Sequence, residues 1–204
     1  MKIVFDFGGV LFDWHPPRLL QRELPQRAHD SASTARLVAE IFQGYGGDWG
    51  EFDRGALAVP ELVARIAART GLSESEVRAV VEGVPRELQP VAETVALLQR
   101  LREGGRRLFY LSNMPAPMAD HLEREHHFLQ WFEDGVFSGR VGDVKPNAEI
   151  YALAAQRFGV PPAELVFIDD MPLNVKAARA AGWNAIRFID AAQCEAELRE
   201  NGWI

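Results

Sequence analysis

Lys2-Ile3-Val4-Phe5-Asp6-Phe7-Gly8-Gly9-Val10 decides how the rest of the chain is read. Apolar and β-branched residues run almost from the first position to a carboxylate, and two glycines follow close behind. A short apolar run of this kind reads as a fully buried strand. In an open α/β sheet, ligands gather at the carboxyl ends of the strands, so Asp6 stands where chemistry is done. A strand-end aspartate also caps turns, and on this stretch alone the two readings are level. The strands further along separate them.

Working outward, Pro16-Pro17 mark a helix start. From there to about residue 86 the pattern is helical. Leu37, Val38, Ile41 and Phe42 have helical spacing, and Leu62, Val63 and Ile66 share one face of a helix that Pro60 opens and Gly71 stops. Ser73 and Glu76 form a capping box. The glycine-rich run 45–50 reads as a loop by composition. No convincing strand falls between Trp14 and Arg86.

Beyond that block the rhythm changes. Strands at 108–111, 136–138, 165–168 and 185–188 alternate with helices at 91–102, 115–126, 148–158 and 175–181, and a last helix closes the chain. Such alternation predicts an α/β fold: a doubly wound, Rossmannoid parallel sheet with helices on both faces. The helical block interrupts it straight after the first strand. Residues 1–14 and 87–204 are therefore expected to form the core domain, and 15–86 an inserted helical cap over the strand ends.

Composition narrows the class. The chain has 204 residues, 48% of them hydrophobic, enough for a full domain with a sizeable core. Its 22 basic residues face 29 acidic ones, a net charge of -7, which makes it a poor generic partner for nucleic acid. No apolar run is long enough to span a bilayer. The first strand begins two residues in and leaves no room for a signal peptide. The single cysteine, Cys194, excludes an internal disulfide and reads as packing or surface rather than a nucleophile. A cytoplasmic protein, monomeric or weakly dimeric, is the expectation.

Three strands end in polar groups: the first in Asp6, the second in Ser112-Asn113, the fourth in Asp169-Asp170. Parallel strands bring these ends to one edge of the sheet. Lys145, in Gly142-Asp143-Val144-Lys145-Pro146, precedes a helix. Clustered carboxylates repel unless a cation joins them, and oxygen ligands without His or Cys suit Mg²⁺. A hydroxyl, an amide and an ammonium beside the metal would cradle a phosphoryl group, and a carboxylate can attack phosphorus. Taken singly, each residue has an ordinary explanation: a turn, a solvated lysine, a helix cap. All four groups in order at the ends of parallel strands are hard to obtain by chance.

Together these residues resemble the haloacid dehalogenase superfamily of hydrolases over the whole chain, and glucose-1-phosphate phosphatase-like members within it. The family's four motifs match Asp6 to Val10, Ser112-Asn113, Lys145-Pro146 and Asp169-Asp170. The resemblance implies that Asp6 is the nucleophile and a Mg²⁺ ligand, with the Gly8 carbonyl and Asp170 as further ligands and Asp169 close by. It implies that Ser112 and Asn113 hold phosphoryl oxygens, that Lys145 orients Asp6, and that Trp131-Phe132 is packing. In the family's phosphatases an aspartate usually stands two positions after the nucleophile as general acid/base. Here that position is Gly8, so the proton donor is missing, as it is in some sugar-phosphate phosphatases of the superfamily. Asp13 and His15 are candidate substitutes by nearness in sequence, although both also read as ordinary loop residues. Trp14, Trp49, Phe52, Asp53 and Arg54 are the cap residues expected to choose the substrate. The activity implied is a Mg²⁺-dependent phosphomonoesterase acting on a small phosphorylated metabolite such as a sugar phosphate. A 2-haloacid dehalogenase and a non-catalytic phospholigand binder are the alternatives.

Overall fold

The computed structural model describes all 204 residues. Five strands, β1 (Lys2–Phe5), β2 (Leu108–Ser112), β3 (Asp134–Phe137), β4 (Leu165–Asp169) and β5 (Asn184–Arg187), form one sheet in the order β3-β2-β1-β4-β5. Every pairing is parallel. Parallel strands need crossover connections, and helices supply them. They include α6 (Ala92–Glu103), α7 (Ala116–Glu125), the short α8 (Ser138–Val141), α9 (Ala148–Phe158) and α10 (Pro172–Ala180), and α11 (Ala191–Glu200) follows the last strand. The doubly wound sheet expected from the alternating pattern is the one observed.

Strand alternation divides the core in two. Ile3, Phe5, Val166 and Ile168 point to one face and join Leu97 and Leu98 of α6 and Leu198 of α11. Val4, Phe109, Leu111 and Phe167 point to the other and meet Ile150, Tyr151 and Ala154 of α9. The central strands are thus covered on both faces, which is why they read as continuous apolar runs. Phe132 packs against Phe5, Phe7 and Tyr110, a packing role as expected. Cys194 is fully buried, and burial pushes its thiol up to about 12.

Between β1 and α6 lie five helices: α1 (Pro16–Glu23), α2 (Ser31–Phe42), α3 (Gly47–Asp53), α4 (Val59–Thr70) and α5 (Glu74–Glu87). The capping box at Ser73 and Glu76 is formed, with both reciprocal hydrogen bonds present. Apolar faces of this block, including Leu19, Leu62, Ile66 and Val80, belong to the same buried cluster as Phe5 and Phe7. One expectation fails here. The run 45–50 is not a loop: a 3-10 turn at Gln43–Tyr45 leads through an extended Gly46 into α3. Glycines that read as loop punctuation serve close packing instead. A Cβ on Gly50 would lie 2.6 Å from the Tyr45 carbonyl oxygen, so only glycine lets the turn and α3 approach this closely.

Candidate active site

β1 is the middle strand, and the chain winds from it to β2 and β3 on one side before crossing to β4 and β5 on the other. The carboxyl ends of β1 and β4 therefore flank the switch point, where open α/β sheets bind their ligands. Phe5 is in register with Ile168, so Asp6 and Asp169, one step on, come side by side. The Asp6 amide donates to the Ile168 carbonyl at 2.9 Å. A tight loop follows, in which the amides of Val10, Leu11 and Phe12 converge on the Phe7 carbonyl. The Gly8 carbonyl accepts no hydrogen bond. Gly9 has φ +75°, and a Cβ there would sit 2.7 Å from Asp170 Oδ2, so the carboxylate can lie against the loop only because position 9 has no side chain.

Lys145 ties the acids together. Its Nζ lies 2.8 Å from Asp6 Oδ1 and 2.7 Å from Asp169 Oδ2, with all three groups buried. Burial alone would lower the lysine, but Asp169 and Asp6 hold its ammonium above its ordinary value. Asp169 is fully engaged: Lys145 and Asn174 Nδ2 donate to Oδ2, while the Met171 amide and Asn174 Nδ2 donate to Oδ1. Asn113 is committed as well. Its Nδ2 donates to the Lys145 carbonyl at 2.9 Å and its Oδ1 accepts from the Lys145 amide at 2.8 Å, so it fixes the lysine's backbone to the end of β2.

Ser112 is 1% exposed, and its Oγ has no hydrogen-bond partner. An orphaned buried hydroxyl costs on the order of 1–3 kcal/mol unless something satisfies it. It lines a cavity of about 200 Å³ together with Asp6, Gly8, Asn113, Lys145 and Asp170. Trp14, Trp49 and Asp53 of the expected recognition set line the same cavity. Arg54 and Phe52 do not. Arg54 caps α3 one residue past Asp53, about 100° further round the helix, and its nearest carboxylate is Glu51 at 4.0 Å. Phe52 is buried against Trp49. Asp13 and His15 are outside the cavity too: Asp13 pairs with Arg18 at 2.6 Å, and His15 Nδ1 accepts from the Arg18 amide to cap α1.

Sequence reasoning missed two participants. Asn174 stands on the first turn of α10 and reaches back to Asp169, and its place one turn into the helix after the acidic pair was the available signal. Tyr45, whose hydroxyl accepts from Trp14 Nε1 at 2.8 Å, carried no signal because its segment read as loop.

The donor set fits a divalent cation. Carboxylate oxygens of Asp6, Asp169 and Asp170 lie within 4.8 Å of one another, with one ammonium among them. Burial pushes the Asp6 carboxyl up to about 8; Lys145 opposes this, while Asp169 and Asp170 add to it. Burial, then Asp169, raises Asp170. Three acids against one lysine leave an excess negative charge that a hard cation would balance, and the ligands are all oxygen.

Acids at the switch point of a parallel sheet, with a lysine and a hydroxyl beside them, define an α/β hydrolase. Residues 3–182 match the family model of haloacid dehalogenase-like hydrolases, and the chain belongs to that family. It is similar to the sesquiterpene phosphatase astK of Aspergillus oryzae, 29% identical over 97% of this chain and 94% of the relative. It is also similar to the drimenol cyclase drtB of Aspergillus calidoustus, 25% identical over 96% of this chain but only 35% of that longer protein. Among solved structures, a haloacid dehalogenase family enzyme of Bacteroides thetaiotaomicron, in complex with magnesium and inorganic phosphate, superposes with a TM-score of 0.71 at 22% identity, covering 91% of this chain and 92% of that one. The chain is therefore a hydrolase of this family, and the relatives it resembles include phosphatases. No helix is long and apolar enough to cross a membrane.

Proposed function

We propose that this chain is a Mg²⁺-dependent phosphomonoesterase that works through an aspartyl-phosphate on Asp6 and takes the phosphate ester of a small, largely apolar alcohol. The observation that carries it is the unpartnered, buried Ser112 Oγ in one cavity with Asp6, Lys145 and Asp170. A phosphoryl oxygen is the acceptor that hydroxyl lacks. Asp6, the free Gly8 carbonyl and Asp170 would hold the metal, with Asp169 acting through Lys145. When bound, Mg²⁺ supplies charge neutralisation for the phosphoryl group.

The chain's own residues do the rest. The Lys145 ammonium keeps the Asp6 carboxylate aimed and offsets charge on the phosphoryl oxygens. A carboxylate oxygen of Asp6 attacks phosphorus, and the bond to the alcohol oxygen breaks with its electron pair leaving on that oxygen. Water then attacks the aspartyl-phosphate and returns the Asp6 carboxylate. Residues 15–86 form the cap that shelters this exchange from bulk water.

The lining above the acids speaks to the substrate. Trp14, Trp49, Val84, Leu88, Met114 and Met118 face the cavity, and Tyr45, Met171 and Leu173 stand exposed at its rim. A sugar's hydroxyls would find few donors or acceptors there, whereas an alkyl or isoprenoid chain would bury its surface at about 25 cal/mol per Å². The sesquiterpene phosphatase relative supports the same choice over the sugar phosphate expected from sequence. A single buried thiol suits a reducing compartment, and we place the reaction in the cytoplasm.

The test is a panel of phosphomonoesters with Mg²⁺, ranging from sugar phosphates to medium-chain alkyl and prenyl phosphates. The reading expects EDTA-sensitive release of phosphate, kcat/KM rising with the apolar length of the alcohol, and loss of activity in Asp6→Asn. Metal-independent halide release from 2-haloacids, or binding of esters without turnover, would overturn it.

A further inference from the structure

Phosphoryl transfer to Asp6 leaves negative charge on the departing alcohol oxygen, and an unactivated alkyl alcohol needs a proton there. Gly8 cannot give one, and Asp13 and His15 lie outside the cavity. We infer that Asp53, the last residue of α3, is the general acid that protonates the leaving alcohol and then the general base that activates water. This rests on the phosphomonoesterase reading above.

The geometry supports it in three ways. Asp53 is 6% exposed and lines the same cavity as Asp6, Ser112 and Lys145, from the helical block that covers the sheet ends. Its backbone is pinned: the Ser138 hydroxyl donates to the Asp53 carbonyl at 2.6 Å and accepts from the Met114 amide at 2.8 Å, which ties the end of α3 to the core beside Ser112. Its carboxyl has no hydrogen-bond partner in the protein, so no structural role occupies it. Burial raises it well above the usual carboxylate range, with Lys145 opposing, which favours the protonated form that a general acid needs. The other titratable groups at the cavity are Asp6, Asp170 and Lys145 on the core side and Tyr45 on the helical side. The cations of the neighbouring helices are taken: Arg69 of α4 by Asp48, and Arg140 of α8 by Asp120 and Glu123.

The step balances. An Asp6 oxygen forms its bond to phosphorus as the bond to the alcohol oxygen breaks, and that oxygen takes the Asp53 proton. Water then gives a proton back to Asp53 as its oxygen bonds to phosphorus, and the Asp6–phosphorus link breaks with its electron pair returning to the carboxylate.

Asp53→Asn and Asp53→Glu are compared with wild type on an n-alkyl phosphate and on p-nitrophenyl phosphate, using kcat/KM because it reports the transfer to Asp6 before water enters. The inference expects Asp53→Asn to lose about 10²–10⁴-fold on the alkyl ester and less than about tenfold on the aryl ester, whose phenolate leaves unaided. The alkaline limb of the alkyl profile should vanish with it, and Asp53→Glu should restore part of the rate. Equal losses on both esters, or no loss on the alkyl ester, overturn the role of Asp53. Absence of wild-type turnover on either ester overturns the phosphatase reading itself and the inference with it. Far-UV circular dichroism shows whether the asparagine variant folds; if it does not, the same comparison on Asp53→Glu decides, since a displaced carboxyl should also cost more on the alkyl ester than on the aryl one.

Discussion

Lys145 Nζ sits 2.7 Å from Asp169 Oδ2, and Asp169 is in turn held by Asn174 and the Met171 amide. The lysine that faces Asp6 is therefore aimed from behind by an acid whose oxygens are all engaged. Asp169→Asn should lower kcat by about 10²-fold through a misplaced lysine, within the range for losing a preorganised charged group. Asp170→Asn should instead weaken Mg²⁺ binding. Titrating Mg²⁺ against activity for the two variants separates them; equal loss of metal affinity in both would show that Asp169 is a ligand.

Without a cation, Asp6 titrates high, up to about 8, because it is buried beside other acids. A carboxyl raised on folding favours the folded protein while protonated. Its stabilisation is whole below the unfolded value of about 4 and is lost as pH rises through about 8. Melting temperatures of EDTA-treated protein should accordingly fall between those limits. Added Mg²⁺ should reverse the fall, and Asp6→Asn should flatten it. A metal-free profile that rises over this range would contradict the charge balance described for the site.

Gly9→Ala is expected to damage the site more than the fold. Its Cβ would meet Asp170 Oδ2 at 2.7 Å, and φ +75° is strained for alanine. The backbone term costs about 1–2 kcal/mol, visible as a modest drop in melting temperature. The displaced Asp170 should raise the Mg²⁺ concentration needed for half-maximal rate by tenfold or so, on the order of 1.4 kcal/mol.

Leu173 is 64% exposed at the rim of the cavity, on the first turn of α10. Leu173→Asp should leave stability within about 0.5 kcal/mol, as exposed substitutions do. If the rim receives an apolar chain, KM should rise several-fold more for a long alkyl phosphate than for a short one. An equal rise for both would mean that the chain lies elsewhere.

Position 8 gives a further check. A Cβ on Gly8 would make only ordinary contact, 3.7 Å from Trp14 Cβ. Gly8→Asp in an Asp53→Asn background should thus be tolerated and recover about tenfold or more of the lost alkyl phosphatase rate, about 1.4 kcal/mol. Measuring kcat/KM for the double variant decides this.

Much of this was legible in the residues. Buried parallel strands have to be apolar along their whole length, so β1, β2 and β4 announce themselves, and the acid, hydroxyl or acidic pair at each end is conspicuous against that background. The lysine was legible as a member of the set, though not its partner: that Asp169 is spent on Lys145 and Asn174, and Asn113 on the Lys145 backbone, depends on hydrogen bonds across 24 and 32 residues of sequence. The glycine run that opens α3 misled because glycine marks loops and also permits close helix packing, and composition cannot tell the two apart.

The amino-acid order by itself determined the sheet, the interrupting helices and the identity of the acids at the strand ends, since period, caps and apolar runs are local properties. Only the tertiary structure decided which residues of the helical block face the acids. A helix turns about 100° per residue, so Asp53 lines the cavity while its neighbour Arg54 does not. That choice is set by how α3 packs on its neighbours, through contacts distant in sequence that no local pattern encodes.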